Sequence, residues 1–428
     1  MRRKTLMKAY LVGGAVRDQL LGLPLKDKDW VVVGTTAEWM LSQGYQRVGA
    51  DFPVFLHPHT KEEYALARTE RKSGKGYTGF ECFFSPDVTL EEDLLRRDLT
   101  INAMAMDAQG TLVDPHQGKR DLDRKLLRHV SPAFEEDPLR VLRVARFYAR
   151  FHPLGFSIAP ETKKLMRKIV QTGELDHLTA ERVWQETARA LLEQSPRAYF
   201  EALLEVGALK IIMPELDALF GVPQPPQYHP EIDSGEHSLM VLTVAGQLSK
   251  DLSVRFAALV HDLGKALTPK SDWPHHIGHE LAGLKPIKIL CQRLKIPNEC
   301  RNLALIAAEQ HLKVHQATQL KASTLLKLFQ QCDGWRRQDR FRQLLQVCEA
   351  DARGRGGKEN SDYEPARFLT HLLEQLNAAN MKDLIASGAK GAELGEQIRL
   401  RRLSIIQSEK TKWLACPDTD ALKTHTSS

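Results

Sequence analysis

A chain of 428 residues with a net charge of +6 is long enough for roughly two to four domains with cores of their own, and its mild basic excess permits a polyanionic partner without requiring one. Six cysteines, at positions 82, 291, 300, 332, 348 and 416, form no Cys-x-x-Cys pair, which argues against a disulfide framework or a cysteine-zinc site and fits a reduced, cytoplasmic protein. No apolar run approaches membrane-spanning length, so no membrane association is expected, and Lys8 and Arg17 interrupt the stretch behind the basic Met1 to Lys4, which excludes a signal peptide.

Met7 opens the first strand directly, and the residues before it are expected to be dispensable. In "LVGGAVRDQLLGLPLKDKDW", Leu11 to Trp30, the residues Tyr10, Leu11 and Val12 read as the end of a buried strand. Gly13 and Gly14 then allow a tight turn that brings bare N–H groups close to an anion. The run from Ala15 to Leu21 is helix-like, which sets the glycines at a helix N-terminus, where phosphate is favoured. Asp27 and Asp29 follow, just before "WVVVG". On a strand their i, i+2 spacing puts both carboxylates on one face, where they repel each other unless a divalent cation lies between them. Either piece alone is more often a plain turn. Their order within one short unit raises the signal.

From Met7 to Asp114, β-rich runs ("AYLVGG", "WVVVG", "EEYALAR", "NAMAMD") alternate with helical pieces, which predicts a mixed α/β domain. Glu63, on the following strand, is a candidate third carboxylate. The Gly- and Lys-rich stretch from Glu70 to Phe80 is expected to be mobile. "EEDLLRRDLTINAMAMD", Glu91 to Asp107, begins as a charged helix and offers Arg96, Arg97 and Asp98 where a triphosphate would need a cationic clamp. From Leu122 onward helical periodicity dominates. In "EDPLRVLRVARF", Asp137, Arg140, Arg143 and Arg146 recur every third residue as a polar stripe opposite Leu139, Leu142, Val144 and Phe147. The Pro-rich Phe220 to Glu231 is the clearest boundary, a second helical block runs from Ile232 to Asp333, and a more polar helical tail ends in residues expected to be disordered from Pro417.

"GGAVRD", the Asp27/Asp29 pair, "RRDLTINAMA" and "EDPLRVLRVARF" together resemble the class II tRNA nucleotidyltransferases, the bacterial CCA-adding enzymes. The resemblance implies an α+β fold: a small mixed α/β nucleotidyltransferase head (7–135), then an all-α neck for base and tRNA recognition (136–220), an HD domain (231–335) and a helical tail (336–416). It implies Mg²⁺ held by Asp27 and Asp29 as the catalytic pair, with Gly14, Arg17, Arg97, Asp137, Arg140, Arg143 and Arg146 binding ATP or CTP. tRNA would attack through its 3′-hydroxyl on the α-phosphate, releasing pyrophosphate. The chemistry agrees for the base. Cytosine and adenine each present an amino donor beside a ring-nitrogen acceptor, which an Asp–Arg pair satisfies, whereas uracil and guanine present the reverse polarity. Each bidentate contact discriminates by roughly 1–3 kcal/mol, so CTP and ATP are accepted without a nucleic-acid template.

In the second half, His237 in "HSLMVL" and His261, Asp262 and Lys265 in "LVHDLGK", with His279, His311 and Asp351 further on, resemble the HD phosphohydrolase superfamily. His237, His261 and Asp262 are the expected ligands, with Lys265, His279, His311 and Asp351 auxiliary. Imidazole plus carboxylate suits a transition metal such as Ni²⁺ better than Mg²⁺. The implied activities are phosphatase, 2′-nucleotidase and 2′,3′-cyclic phosphodiesterase, as in the multifunctional CCA proteins of some bacteria. This chain departs from the pattern at His311-Leu312, where related chains often carry His-Asp, which puts the later ligands in question. His275 and His276 read as loop residues. A monomer or a homodimer would serve equally. Competing readings are a bacterial poly(A) polymerase, disfavoured by the HD block and the lack of a long basic tail, a nucleotide-sensing regulator built like the HD-containing uridylyltransferases, and an RNA-binding protein with dead sites.

Overall fold

The structure is a computed structural model and describes residues 7–25, 27–48, 54–72, 80–386 and 390–415. Residues 73–79 of the stretch expected to be mobile, and the end from Pro417, lie outside these. Two compact units divide between Ile212 and Met213.

The first unit opens with a seven-stranded sheet in the order β3-β4-β5-β2-β1-β8-β9. Its strands are β1 (Lys8–Val12), β2 (Asp29–Val33), β3 (Gln46–Val48), β4 (Val54–Leu56), β5 (Glu63–Leu66), β8 (Ala105–Met106) and β9 (Leu112–Val113), while β6 (Arg68–Lys72) and β7 (Phe80–Phe84) pair separately. β2 runs antiparallel to β1 and parallel to β5. This mixed arrangement buries both faces of the central strands: Val12 and Val31 pack with Leu94 and Ala103 on one side, and Val32 packs with Met40 and Phe55 on the other. The head helices are α1 (Gly14–Leu20), α2 (Ala37–Ser42), α3 (Leu90–Leu95) and α4 (Gly118–Asp123). A reciprocal Thr89–Glu92 capping box starts α3, which ends at Leu95, so Arg96 and Arg97 leave the helix where the chain turns back.

A two-residue parallel pair, β10 (Leu126–Leu127) with β11 (Ser157–Ile158), links the head to helices α5 (Leu139–Phe151), α6 (Pro160–Gln171), α7 (Ala180–Leu191), α8 (Pro196–Glu205) and α9 (Leu209–Ile212). α5 packs against α7 and α8, and its buried Val141, Leu142, Val144, Ala145 and Phe151 form the seam, with Tyr199 and Phe200 also fully buried in this unit. α5 begins only at Leu139. Asp137 is therefore outside the helix, and the expected stripe is helical from Arg140 onward.

Apart from an isolated bridge between Pro223 and Asp233, the regular structure of the second unit is helical among the described residues: α10 (Pro214–Asp217), α11 (Ser234–Leu248), α12 (Leu252–Val260), α13 (His279–Ala282), α14 (Leu284–Arg293), α15 (Asn298–His315), α16 (Ala322–Gln331), α17 (Gln338–Arg353), α18 (Glu364–Ala378), α19 (Lys382–Ala386) and α20 (Gly391–Ala415). Asp233 caps α11 and Asp251 caps α12, each accepting from backbone N–H groups of the first turn. α11, α12, α15 and α17 pack mutually around a shared core. α17, which begins just past the boundary expected at 335, packs against α11, α12 and α15. Cys291, Cys300, Cys332 and Cys348 are buried free thiols. No described helix is long and apolar enough to cross a membrane.

Candidate functional site

β1 delivers the chain to Gly13, whose φ of 66° is the left-handed turn that a glycine adopts without penalty. A side chain there would also collide with Arg97, since an added Cβ would lie 2.7 Å from its Nη1. At Gly14 the neighbour is Arg17, 3.4 Å from the same construction. The Gly13–Gly14 turn is thus walled by two guanidinium groups. Arg17 is buried, donates to Asp18 at 2.8 Å and to the Asn102 side chain at 2.5 Å, and stacks 4.9 Å from the Phe151 ring centroid. Arg97 is tied to the buried Asp93 at 3.3 Å and to the Asn102 carbonyl at 3.4 Å. Asp93 also holds Arg96, at 2.6 Å.

Asp29 is the first residue of β2, opposite Val12 on β1 and level with Glu63 on β5. Asp27 lies ahead of the strand rather than on it, because pairing with β1 stops where β1 gives way to the glycine turn. The two still act on each other. Partial desolvation pushes the Asp29 carboxyl up, Asp27 pushes it the same way, and Arg97 opposes both. A carboxylate made reluctant to ionise by a second carboxylate is a group that a divalent cation relieves. Asp27, Asp29 and Glu63 are exposed, and so open to a metal and its water.

The stripe differs from expectation in its partners. The Arg140 guanidinium donates to the backbone carbonyls of Ala133 at 2.8 Å and Arg96 at 2.7 Å. No Asp137–Arg140 ion pair forms. Asp137 instead accepts from Leu139 N–H at 3.1 Å and from Arg182 of α7 at 3.0 Å, because outside the helix its side chain does not follow the register that carries Arg140. Arg143 grips Asp98 at 2.7 Å, and Arg146 grips Glu186 at 2.6 Å. Burial would raise the Asp98 carboxyl, but Arg143 and Asn102 override it and hold it well below the usual carboxylate range. Asn102 bonds both Arg17 and Asp98, so the head and α5 share one polar network. Asn102, Glu186 and Arg182 were not expected from sequence; "TINAMA" and "ERVWQE" carry them without any spacing that pairs them with the stripe.

In the second unit, His237 (α11), His261 and Asp262 (end of α12), His279 (α13), His311 (α15) and Asp351 (α17) converge, all buried. Gly264 makes this possible, since any side chain there would meet the carbonyl of His279. His261 Nε2 lies 3.2 Å from Asp262, and His237 Nε2 lies 3.1 Å from Asp351. Three groups, His229–Glu231–His237, His237–His261–Asp351 and Asp262–His279–His311, each have their ligand atoms within 4.8 Å of one another, the first two sharing His237. His261 Nε2 and Asp262 Oδ1 are buried and lack hydrogen-bond partners, as metal ligands without their ion would. Leu312 does not displace His311, which takes its place in the cluster; burial pushes that imidazole down to about 3 and keeps it neutral. Lys265 meets Asp262 at 2.5 Å and Gln224 as well. His275 is exposed, and His276 bonds Thr268 and the Pro223 carbonyl, so both stay in the loop. Glu231, from the Pro-rich break, lies 2.9 Å from His237 Nδ1 and was not anticipated.

Known proteins agree with this layout. The family model of the poly A polymerase head domain matches residues 9–128, the model described as "Probable RNA and SrmB- binding site of polymerase A" matches 155–220, and the HD domain model matches 235–355. The fold resembles the Thermotoga maritima CCA-adding enzyme complexed with tRNA, at TM-score 0.64 and 21% identity over 96% of this chain and 92% of that one. It also resembles the Bacillus stearothermophilus CCA-adding enzyme in complex with CTP, at TM-score 0.63 and 23% identity over 94% and 89%. A multifunctional CCA protein of Hahella chejuensis is 61% identical over 94% of this chain and 96% of its own length, and one of Pseudoalteromonas atlantica is 58% identical over 94% and 99%. Identity at that level along nearly the whole of both chains, over a nucleotidyltransferase head and an HD cluster in the same order, makes this chain a member of the multifunctional CCA protein family.

Proposed function

We propose that the chain adds C, C and A to the tRNA 3′ end from CTP and ATP, with its own side chains as the template, and that its HD cluster hydrolyses phosphate esters. The observation that carries the first half is Arg97. Its guanidinium stands against Gly13 and its charge is felt at Asp29, so one residue joins the triphosphate turn to the carboxylates.

Asp27 and Asp29 hold Mg²⁺, which when bound activates the tRNA 3′-hydroxyl and offsets the charge of the leaving pyrophosphate. Glu63, level with Asp29, supports that pair. Gly14, Arg17 and Arg97 hold the triphosphate, and each guanidinium is fixed in advance by Asp18, Asn102 or Asp93. Asp137 accepts the amino group that cytosine and adenine share. Arg140 has five N–H donors and spends two on backbone carbonyls, which leaves donors for a ring nitrogen. Arg143 and Arg146, clamped by Asp98 and Glu186, flank the nucleotide from the same helix.

The HD cluster holds a transition metal through His237, His261, Asp262 and Asp351, nickel being a good match to an imidazole-rich set. The metal supplies Lewis acidity toward a phosphomonoester or a 2′,3′-cyclic phosphodiester, and Lys265 neutralises the ester. Both activities belong in the cytoplasm, where uncapped tRNA is found. The test is end-group analysis of tRNA lacking its terminus after incubation with all four triphosphates. C-C-A at the 3′ end is expected; absence of C overturns the reading, and a run of A would place the chain with poly(A) polymerases.

A further inference from the structure

Three of the guanidinium groups assigned to the nucleotide lie over one aromatic ring. The central carbon of the Arg146 guanidinium stands 4.5 Å from the Phe147 ring centroid, that of Arg17 5.4 Å and that of Arg143 5.7 Å. Arg143 and Phe147 are one turn apart on α5, which brings them to one face, while Arg17 arrives from α1 in the head. Phe147 therefore sits among the arginines that the sequence pattern sets it opposite. One turn further on, Phe151 stacks parallel to it, with centroids 6.2 Å apart and an interplanar angle of 7°. Phe151 in turn carries Arg17 at 4.9 Å and Arg150 at 5.1 Å.

Four positive side chains this close to one another have to be offset. Asp18 meets Arg17 at 2.8 Å and Arg150 at 2.9 Å, Asp98 meets Arg143 at 2.7 Å, and Glu186 meets Arg146 at 2.6 Å, with Glu193 4.0 Å from Arg146. Arg17, Arg146 and Phe147 are all buried, where uncompensated charge is costly. The strain is felt at Arg17: burial pushes its guanidinium toward losing the proton, Asp18 opposes this, and Arg150 adds to it. The face of an aromatic ring is negative and attracts a cation, the more so where water is excluded. Unlike a carboxylate, it leaves the guanidinium its full charge and occupies none of its N–H donors. We propose that Phe147 is a positioning residue for the nucleotide, its ring holding Arg17, Arg143 and Arg146 in place without neutralising them. This rests on the reading of those three arginines as nucleotide contacts and adds the group that sets their spacing. A leucine would fill the same space but has no negative face. Without the pull of the ring the guanidiniums scatter among rotamers and have to be ordered as CTP binds, which raises KM. The carboxylates assigned to the chemical step are not touched, so kcat changes little.

The experiment places mono-, di- and trifluorinated phenylalanine at position 147 of the full-length chain by site-specific incorporation. Each fluorine withdraws electron density from the ring face and leaves its shape nearly unchanged, so packing is held constant while the attraction is weakened. C addition to tRNA lacking its terminus gives KM for CTP and kcat, and thermal unfolding gives Tm, for each protein. KM should rise in steps with the number of fluorines, by roughly threefold to tenfold across the series, at nearly constant kcat and Tm. Phe147→Leu should raise KM at least as far and lower Tm as well. A flat KM across the fluorinated series overturns the proposal, whatever Phe147→Leu does, and leaves the ring as packing alone. A fall in kcat at constant KM overturns it too. Unfolded chains lower kcat and not KM, so a folding defect does not imitate the expected result. The underlying reading is tested separately: no C addition by the unsubstituted protein, or an unchanged KM for CTP in Arg146→Gln, would count against the arginines as nucleotide contacts rather than against the ring.

Discussion

Arg182 reaches across 45 positions of sequence to hold the Asp137 carboxylate at 3.0 Å. This contact, rather than one to Arg140, aims the acceptor assigned to the base amino group. A carboxylate free to rotate offers its lone pairs to water as readily as to a base, so the ion pair is expected to contribute to selectivity. Arg182→Gln should lower the ratio of kcat/KM for CTP over UTP by about tenfold, within the range of one bidentate contact. Asp137→Ala should lower it further while slowing C addition less. Single-nucleotide incorporation with each triphosphate measures both. Intact rejection of UTP by Asp137→Ala would refute the protein template.

The carboxylates proposed for nucleotidyl transfer and the buried histidine–aspartate cluster lie in different units. Asp27→Ala should cut nucleotide addition by at least about a thousandfold, the scale on which a single electrostatic stabiliser of a transition state is felt. Hydrolysis of a 2′,3′-cyclic nucleotide by the same preparation should be unchanged. If both activities fall together, a single shared site would have to replace two.

Gly13 has two independent reasons to be glycine, its φ of 66° and the closeness of Arg97. Gly13→Ala should cost about 1–2 kcal/mol in stability from the left-handed backbone alone. The methyl group should also move Arg97 off its position, raising the KM for CTP several-fold. Thermal unfolding and initial-rate kinetics separate the two effects. A stability loss with unchanged KM would mean that Arg97 does not hold the triphosphate.

Much of this architecture was legible in the chain. The alternation around "AYLVGG" and "WVVVG" gave β1 and β2, and the order of "HS", "HD", His279, His311 and Asp351 named the residues that meet in the second unit. Register at element ends was harder. A strand's first residue carries no period, so the sequence leaves open whether Asp27 lies on β2, and a motif that crosses a helix start looks continuous, so the stripe reads as helical from Asp137 although α5 begins at Leu139. The partners were not legible at all. Asn102, Arg182, Glu186 and Glu231 act through contacts set by packing, and nothing in one chain links Arg146 to a glutamate 40 positions away.

Asp98 predicts an acid limit to the stability of the first unit. Arg143 and Asn102 depress its folded-state carboxyl below the roughly 3.9 of an unfolded chain. A depressed carboxyl stabilises the fold fully above the unfolded value, and that contribution drains away as pH falls toward the folded value, because the unfolded chain takes up a proton first. Asp98→Asn should destabilise the protein by about 3 kcal/mol at pH 7, the low end for a broken buried pair because Arg143 is about a third exposed. The gap between wild type and variant should hold constant above about pH 5 and narrow below about pH 4. Urea unfolding across that range measures it, and a gap that widens toward acid would reverse the sign and the assignment.

Glu231 offers a test of how the HD ligands are held. Its Oε1 lies 2.9 Å from His237 Nδ1 and 3.0 Å from His229 Nδ1, and its carboxyl is held well below the usual range: burial pushes it up, but hydrogen bonds from the two histidines outweigh that. A carboxylate behind an imidazole fixes the tautomer that leaves Nε2 free, and it makes that nitrogen a stronger donor to a metal; loss of such a partner typically weakens binding about 10–100-fold. The Gly354 carbonyl also meets His237 Nδ1, at 3.1 Å, so the tautomer should survive without Glu231 and only the basicity should fall. Glu231→Gln is therefore expected near the tenfold end, and Glu231→Ala somewhat beyond it. Competition against a chelator of known affinity measures nickel binding in each, with C addition as the control for folding of the first unit. Unchanged nickel affinity in both variants would leave Glu231 as a structural anchor for His229 and remove it from the metal site.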